Sequence, residues 1–170
     1  KMAQQPAVYD RVVVSAVRVP DHTGMVPRAS VDLVLTFRNV HNWTSAKADG
    51  AMFKGFHAAL KPGGTLGVVE HRAKAGATVE ESFKSGYLPT DYVIKLATDA
   101  GFKLDAQSEI NANPKDTKDY EGGVWTLPPS LRGGETDKDK YLAIGESDRM
   151  TLKFRKPDTA ALAPGDKSDS

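Results

Sequence analysis

The sequence predicts a layered α/β fold with a mostly parallel sheet. Short apolar runs rich in β-branched residues alternate with segments whose apolar residues recur at helical intervals. The run over residues 31–37 is apolar at nearly every position, which is typical of a central parallel strand covered on both faces. Strand and helix patterns also follow one another in the order that parallel strands with helical crossovers require.

The first part of the chain predicts two strands and a helix. Residues 12–17 form a β-branched run that predicts a buried strand, and residues 31–37 predict the next strand. Apolar residues then recur at helical spacing over residues 45–60, where Thr44 or Ser45 can cap the start. The sequence Lys-Pro-Gly-Gly follows and ends that helix.

The second part predicts further strands around one helix. The helix begins near Pro89 and ends at Gly101, which suits the position after a helix C-terminus. The three strands of this part are predicted over residues 65–69, 102–106 and 150–154, and the last is expected to be antiparallel.

The remaining segments are polar. Residues 113–140 predict a long loop, and loops of that length are usually functional or mobile. Residues 157–170 contain mainly Asp, Ala, Pro, Gly, Ser and Lys, which predicts a disordered tail. We therefore expect a single α/β domain over residues 1–156, followed by the tail.

Composition excludes several classes of function. The chain has 170 residues, and its 23 Lys and Arg against 22 Asp and Glu give a formal charge of +1, which argues against a nucleic-acid partner. The absence of cysteine excludes thiolate metal sites and cysteine nucleophiles. No apolar run approaches the roughly 18 residues of a membrane span. No targeting segment is visible, so a cytoplasmic and a periplasmic location both stay open.

Three segments together resemble class I S-adenosylmethionine-dependent methyltransferases. Residues 30–35 (SVDLVL) resemble the fourth-strand motif of that family, residues 60–66 (LKPGGTL) its turn into the fifth strand, and residues 99–104 (DAGFKL) its junction into the sixth. Residues 35–43 and 123–129 are similar to a bacterial group of predicted methyltransferases. The resemblance implies a Rossmann-like fold and methyl transfer from S-adenosylmethionine to a small-molecule or protein acceptor.

One departure from the family concerns its glycine-rich cofactor loop. The chain contains neither GxGxG nor GxGxxG, and its Gly pairs at 63–64, 122–123 and 133–134 are isolated. Either the chain is a fragment, or the gene has lost the cofactor loop; we expect the carboxy-terminal two-thirds of the fold, without its first strand or strands. Such a sheet would expose an edge through which a homodimer could form. The alternative function is a non-catalytic α/β domain that self-associates.

Candidate catalytic residues follow two predicted strands. Residues 38–43 (RNVHNW) come directly after one strand, and Glu70 and His71 end the next. Open α/β sheets bind ligands at the carboxyl ends of their strands, so both groups are expected to border one crevice. His41 could act as a general base, and Glu70 with His71 as an acid–base pair. The alternatives are a helix-capping loop and a solvated surface pair.

The resemblance implies further site residues. The amino-acid end of the cofactor would be held by Thr36 and Asn39, and the adenine would lie near Ser15. The acceptor would contact Arg38, Trp43 and Trp125, and Trp125 is either a lid or an aromatic plug that pins the long loop. The four histidines show neither HxH nor HExxH spacing, so no metal site is predicted.

Overall fold

A computed structural model describes residues 4–18, 21 and 24–158. The elements in chain order are α1 (Pro6–Tyr9), β1 (Val31–Phe37), α2 (Val40–Ser45), α3 (Asp49–Ala59), β2 (Leu60–His71), α4 (Val79–Ser85), α5 (Thr90–Asp99), β3 (Lys103–Ser108), a 3-10 helix (Gly123–Thr126), α6 (Lys138–Ile144) and β4 (Arg149–Arg155). The predicted tail falls almost wholly outside the described residues. Within them, no helix is long and apolar enough to cross a membrane.

The four strands form one mixed sheet in the order β1-β2-β4-β3. Strands β1 and β2 are parallel, and β4 lies between β2 and β3, antiparallel to both. The predicted α/β fold, with a mostly parallel sheet and an antiparallel last strand, is confirmed. In the β1–β2 register, Leu35 lies beside Gly67 and Phe37 beside Val69, so both strands end at the same edge of the sheet.

The strand predicted over residues 12–17 is wrong. Residues 12–18 have no regular secondary structure, and the side chains of Val13 and Val14 are exposed. A β-branched run favours a strand only where another strand can pair with it, and no described strand pairs with this segment. Ser15 therefore does not end a strand, and it lies exposed in an irregular segment.

The helix predicted over residues 45–60 is present as α3 (Asp49–Ala59), and a separate helix that was not predicted, α2 (Val40–Ser45), precedes it. Thr44 and Ser45 cap neither of them, because both lie inside α2, where their hydroxyls donate to the carbonyls of Val40 and His41. Lys47 then adopts a left-handed conformation with φ of 55°, which separates α2 from α3. A serine or threonine inside a helix can instead donate its hydroxyl to the carbonyl four residues earlier, as both do here.

The later elements follow their local signals more closely. Helix α5 begins after Pro89, and Gly101 follows its end with φ of 102°, as predicted. Helix α4 was not predicted, although Thr78 and Glu81 form a capping box at its start. The loop predicted over residues 113–140 contains the 3-10 helix and the start of α6.

One face of the sheet carries the core. Helices α3 and α5 contribute Phe53, Phe56 and Val93, which cluster with sheet residues such as Leu66 and Phe154. Each such side chain contributes about 1.5–3 kcal/mol when fully buried. The core thereby fixes the sheet whose edge carries the site.

The other face of β1 is open among the described residues. Leu33, Leu35 and Phe37 are 52%, 54% and 56% exposed, and β1 pairs only with β2. The predicted central strand covered on both faces is therefore an edge strand covered on one. No described helix packs on its second face, which is why its continuous apolar pattern is not buried.

Candidate functional site

The carboxyl ends of β1 and β2 bring the predicted polar segments together. Arg38 follows β1 in a left-handed conformation with φ of 56°, and its N–H donates to the carbonyl of Val69 at 2.7 Å. The chain then turns directly into α2, which carries His41 toward the end of β2. Glu70 and His71 lie at that end, so two segments about thirty residues apart form one site.

Glu70 organises the site from a fully buried position, at 0% exposure. Its Oε1 accepts the Nδ1–H of His41 and the backbone N–H of His71, both at 2.8 Å. Its Oε2 accepts the backbone N–H of His41 at 3.1 Å. Since an ionised carboxylate only accepts hydrogen bonds, Nδ1 of His41 carries the proton and Nε2 is left as an acceptor.

The predicted acid–base pair of Glu70 and His71 has a different geometry. Glu70 contacts His71 through its backbone N–H, and the imidazole that it holds is that of His41. The His71 ring instead places Nδ1 at 2.6 Å from the hydroxyl of Ser147. The carboxylate and imidazole in side-chain contact are therefore Glu70 and His41.

His71 lies in an environment that disfavours its charged form. Burial lowers the pKa of the His71 imidazole to about 3, and the charges of Arg149 and Arg38, and of His41 when it is protonated, act in the same direction. Its ring centroid lies 5.2 Å from that of His41. His71 is therefore a neutral imidazole next to the His41–Glu70 pair at any pH near neutrality.

Both imidazoles line a cavity of about 220 Å³ at this edge of the sheet. Trp125 closes one side of it, with its ring edge-on to His41 at a centroid distance of 5.9 Å. The guanidinium of Arg132 lies 4.7 Å above the Trp125 ring and helps to hold it. Arg38 and Ser130 also line the cavity, which therefore offers aromatic, imidazole and cationic groups to a small ligand.

Trp43 is not part of this site. Its ring packs against Phe56 at a centroid distance of 5.5 Å and belongs to the edge of the core. Helical spacing turns Trp43 away from His41 toward α3, so the structure does not place the predicted acceptor contact on the wall of this cavity. Asn39 is exposed at the start of α2. The neighbouring residue Asn42 lines the cavity wall instead of Trp43.

The structure supports the three residues that were predicted to contact the cofactor, Thr36, Asn39 and Ser15, to different degrees. Thr36 is 5% exposed, and its Oγ1 has no hydrogen-bond partner within the described residues, which suits a hydroxyl that meets a ligand. Asn39 is exposed just after β1, where its Oδ1 accepts a hydrogen bond from Asn42 at 3.4 Å, and neither Thr36 nor Asn39 lines the cavity. Ser15 does not fit, because the strand that was to place it at this edge is absent from the described segment. The contact of Thr36 and Asn39 with the amino-acid end of the cofactor stays a prediction, and no described residue is assigned to the adenine.

A second polar network supports the His71 side of the site and was not predicted. The Tyr87 hydroxyl donates to the buried Asp116 carboxylate, which also accepts the backbone N–H of Asp148 at 2.8 Å. Asp148 in turn pairs with Arg72 and Lys118. These residues are far apart in the sequence, so no local pattern indicated the network. It fixes the turn that leads from Ser147 into β4.

The fold also brings together three groups that can ligate a metal. His41, Glu70 and His71 each offer one ligand atom, and these atoms lie within 4.8 Å of one another. The prediction of no metal site relied on short-range histidine spacing, which cannot detect groups that meet between a helix and a strand distant in the sequence.

Solved structures resemble this chain at low sequence identity. The [4+2]-cyclase SpnF superposes with a TM-score of 0.62 and 17% identity over 92% of this chain and 60% of its own. A Burkholderia thailandensis 1,6-didemethyltoxoflavin-N1-methyltransferase, solved with S-adenosylhomocysteine, superposes with a TM-score of 0.52 and 13% identity. This match covers 92% of this chain and 56% of the methyltransferase. An S-adenosylmethionine-dependent methyltransferase from Methanosarcina mazei superposes with a TM-score of 0.50 and 12% identity. This match covers 78% of this chain and 62% of that protein.

These likenesses show a shared fold. The chain spans about three fifths of the length of each of the three structures. No family model and no curated protein matches the sequence.

Proposed function

We propose that this chain, which has the class I fold of S-adenosylmethionine-dependent methyltransferases, carries the acceptor side of a methyl-transfer site. The methyl group would pass from S-adenosylmethionine to a small-molecule or protein nucleophile. The observation that carries the proposal is the buried Glu70 carboxylate, which holds Nδ1 of His41 at 2.8 Å beside the cavity. A general base oriented by a carboxylate is a recurring arrangement for removing a proton from a nucleophile.

His41 would perform the proton transfer. When bound, S-adenosylmethionine supplies a methyl group on a positively charged sulfur. Nε2 of His41 would take the proton that the acceptor oxygen or nitrogen loses when it is methylated. Glu70 would stabilise the resulting imidazolium through the Nδ1–H bond. His41 would then release that proton to solvent before the next turnover.

The remaining residues would position the two reactants. Thr36 and Asn39 would hold the amino-acid end of the cofactor at the end of β1. Arg38, Trp125 and the neutral His71 would contact the acceptor from the cavity walls. Because such transfers depend mainly on orientation, fixed rings and backbone at this edge would account for much of the rate.

Turnover with labelled cofactor tests this proposal. The full-length gene product is incubated with S-adenosylmethionine carrying a tritiated methyl group and a panel of small phenols, carboxylates and amines. Wild-type protein should label at least one acceptor, and His41→Ala should lower that rate about a hundredfold or more while the fold persists. His57→Ala is the matched control, because His57 lies on α3 against Phe102, away from the cavity. Equal rates for wild type and His41→Ala would remove the general-base role.

A second candidate function is self-association without catalysis. It is favoured by the open face and unpaired outer edge of β1, where Leu33, Leu35 and Phe37 are each more than half exposed. Unpaired strand edges with apolar side chains readily pair with another chain. Sedimentation velocity over a range of concentrations tests it. A monomer at every concentration that also binds S-adenosylhomocysteine would exclude this function.

A further inference from the structure

The methyl-transfer proposal uses the contact between Glu70 and His41, but it does not use the matching contact that holds the second imidazole, His71. Nδ1 of His41 is engaged by Glu70 at 2.8 Å, and Nδ1 of His71 is engaged by Ser147 at 2.6 Å. Each ring therefore has only Nε2 free for a ligand, and both rings line the same cavity. We propose that His41 and His71 bind a divalent first-row transition-metal ion through their Nε2 atoms, with Glu70 and Ser147 holding the rings.

The hydrogen bonds on Nδ1 are those that metal-binding histidines characteristically make. A histidine ligand almost always donates its second ring N–H to a carboxylate, carbonyl or similar acceptor, which fixes the ring and its tautomer. Glu70 meets this requirement for His41, because a carboxylate can only accept. The Ser147 hydroxyl accepts a hydrogen bond from Arg149 and retains a lone pair for Nδ1–H of His71.

The fixed charges around the two rings are partly balanced. Arg149, whose guanidinium donates to the Ser147 hydroxyl, also pairs with Glu146. Arg38 lines the same cavity, makes no described ion pair, and would oppose the metal from an exposed position.

Glu70 acts in this site as an orienting group. Its ligand atom lies within 4.8 Å of those of both histidines, but its oxygens already accept three N–H donors. Two neutral imidazoles as protein ligands suit Zn²⁺, Co²⁺, Ni²⁺ or Cu²⁺ rather than Mg²⁺ or Ca²⁺, which require oxygen ligands. The other coordination positions would face the cavity and take water or an acceptor.

Metal binding and proton transfer would compete in this account, because both use Nε2 of His41. Nε2 of His41 can hold a metal or take a proton, but not both at once. A metal-loaded site would therefore have lost His41 as a base. The site can bind metal whether or not the cofactor binds, so each property is measured separately.

A Co²⁺ titration of the chelator-treated, full-length gene product tests the metal site directly. Wild-type protein should develop visible d–d absorption that saturates at one equivalent and is reversed by Zn²⁺. His41→Asn and His71→Asn should each weaken binding at least tenfold. Ser147→Ala, which keeps both ligand nitrogens, should weaken it about tenfold through the lost ring support. His57→Asn, on α3, should leave the titration unchanged, and circular dichroism checks that every variant is folded.

The opposite results would overturn the inference. Wild-type protein without Co²⁺ bands, or with bands that His41→Asn and His71→Asn both leave unchanged, contradicts the site. The titration contains neither cofactor nor acceptor, and calorimetry with S-adenosylhomocysteine is run on the same protein. Loss of one signal without the other therefore distinguishes failure of the metal site from failure of methyl transfer.

Discussion

The buried neutral His71 makes the stability of this protein sensitive to acid. The ordinary pKa of histidine near 6.5 applies to the unfolded chain, whereas burial and neighbouring charges lower it to about 3 in the folded protein. Between these two values the unfolded state binds one more proton than the folded state. The free energy of unfolding therefore falls as the pH falls through this range. Above the pKa of the unfolded chain, the titration of His71 no longer changes the free energy of unfolding.

The size of this effect follows from the two pKa values. A full proton difference changes stability by about 1.4 kcal/mol per pH unit, so His71 should cost about 2 to 3 kcal/mol between pH 6 and pH 4. His71→Asn removes the titrating group and keeps a polar atom near Ser147. The variant should be less stable than wild type at pH 7 but should lose about 2 to 3 kcal/mol less on acidification over that range.

Urea unfolding at several pH values measures this difference for both proteins. Other groups contribute to acid sensitivity in both. Although burial acts to raise it, hydrogen bonds from Arg72 and Lys118 hold the pKa of Asp148 below its ordinary value. Because that contribution is common to wild type and His71→Asn, it cancels in the comparison. If the free energy of unfolding of wild type and of His71→Asn changed with pH by the same amount, His71 would not be buried and neutral.

Three further changes test other parts of the structure. Glu70→Gln places an amide where three N–H donors now meet oxygen, so urea unfolding should show a loss of about 1–3 kcal/mol; an unchanged midpoint would contradict those contacts. Thr36→Val removes a buried hydroxyl without a described partner, so thermal unfolding should show equal or higher stability, while calorimetry shows weaker S-adenosylhomocysteine binding. Phe53→Ala, in the core between α3 and the sheet, should cost about 3–5 kcal/mol in urea unfolding, and a loss below 1 kcal/mol would contradict that packing.

Local signals predicted the parts of the fold that depend on local physics. Pro89 and Gly101 bracket α5 because one fixes the backbone at a helix start and the other tolerates a positive φ after its end. The run over residues 31–37 is a strand for similarly local reasons. Its neighbours, however, are set by tertiary structure, and the same apolar pattern stands at an edge here.

The site shows the same division. The polar segments after β1 and β2 were predicted because strand ends in such sheets share an edge. The sequence could not indicate that Glu70 would hold His41 rather than the adjacent His71, since this depends on how α2 turns back over β2. Ser147 lies 76 residues from His71, and only the pairing of β4 with β2 brings it to that ring. Trp43 was misplaced because proximity in sequence does not determine the direction of a side chain on a helix.

Calorimetric titration of the full-length gene product with S-adenosylhomocysteine tests the central proposal most directly. The account predicts one binding site, with affinity that Asn39→Ala weakens about tenfold by removing a polar contact and that His57→Ala leaves unchanged. His41→Ala should retain most of that affinity, because His41 is assigned to the acceptor's proton. A folded wild-type protein that binds no S-adenosylhomocysteine would contradict the proposal that this site transfers methyl groups.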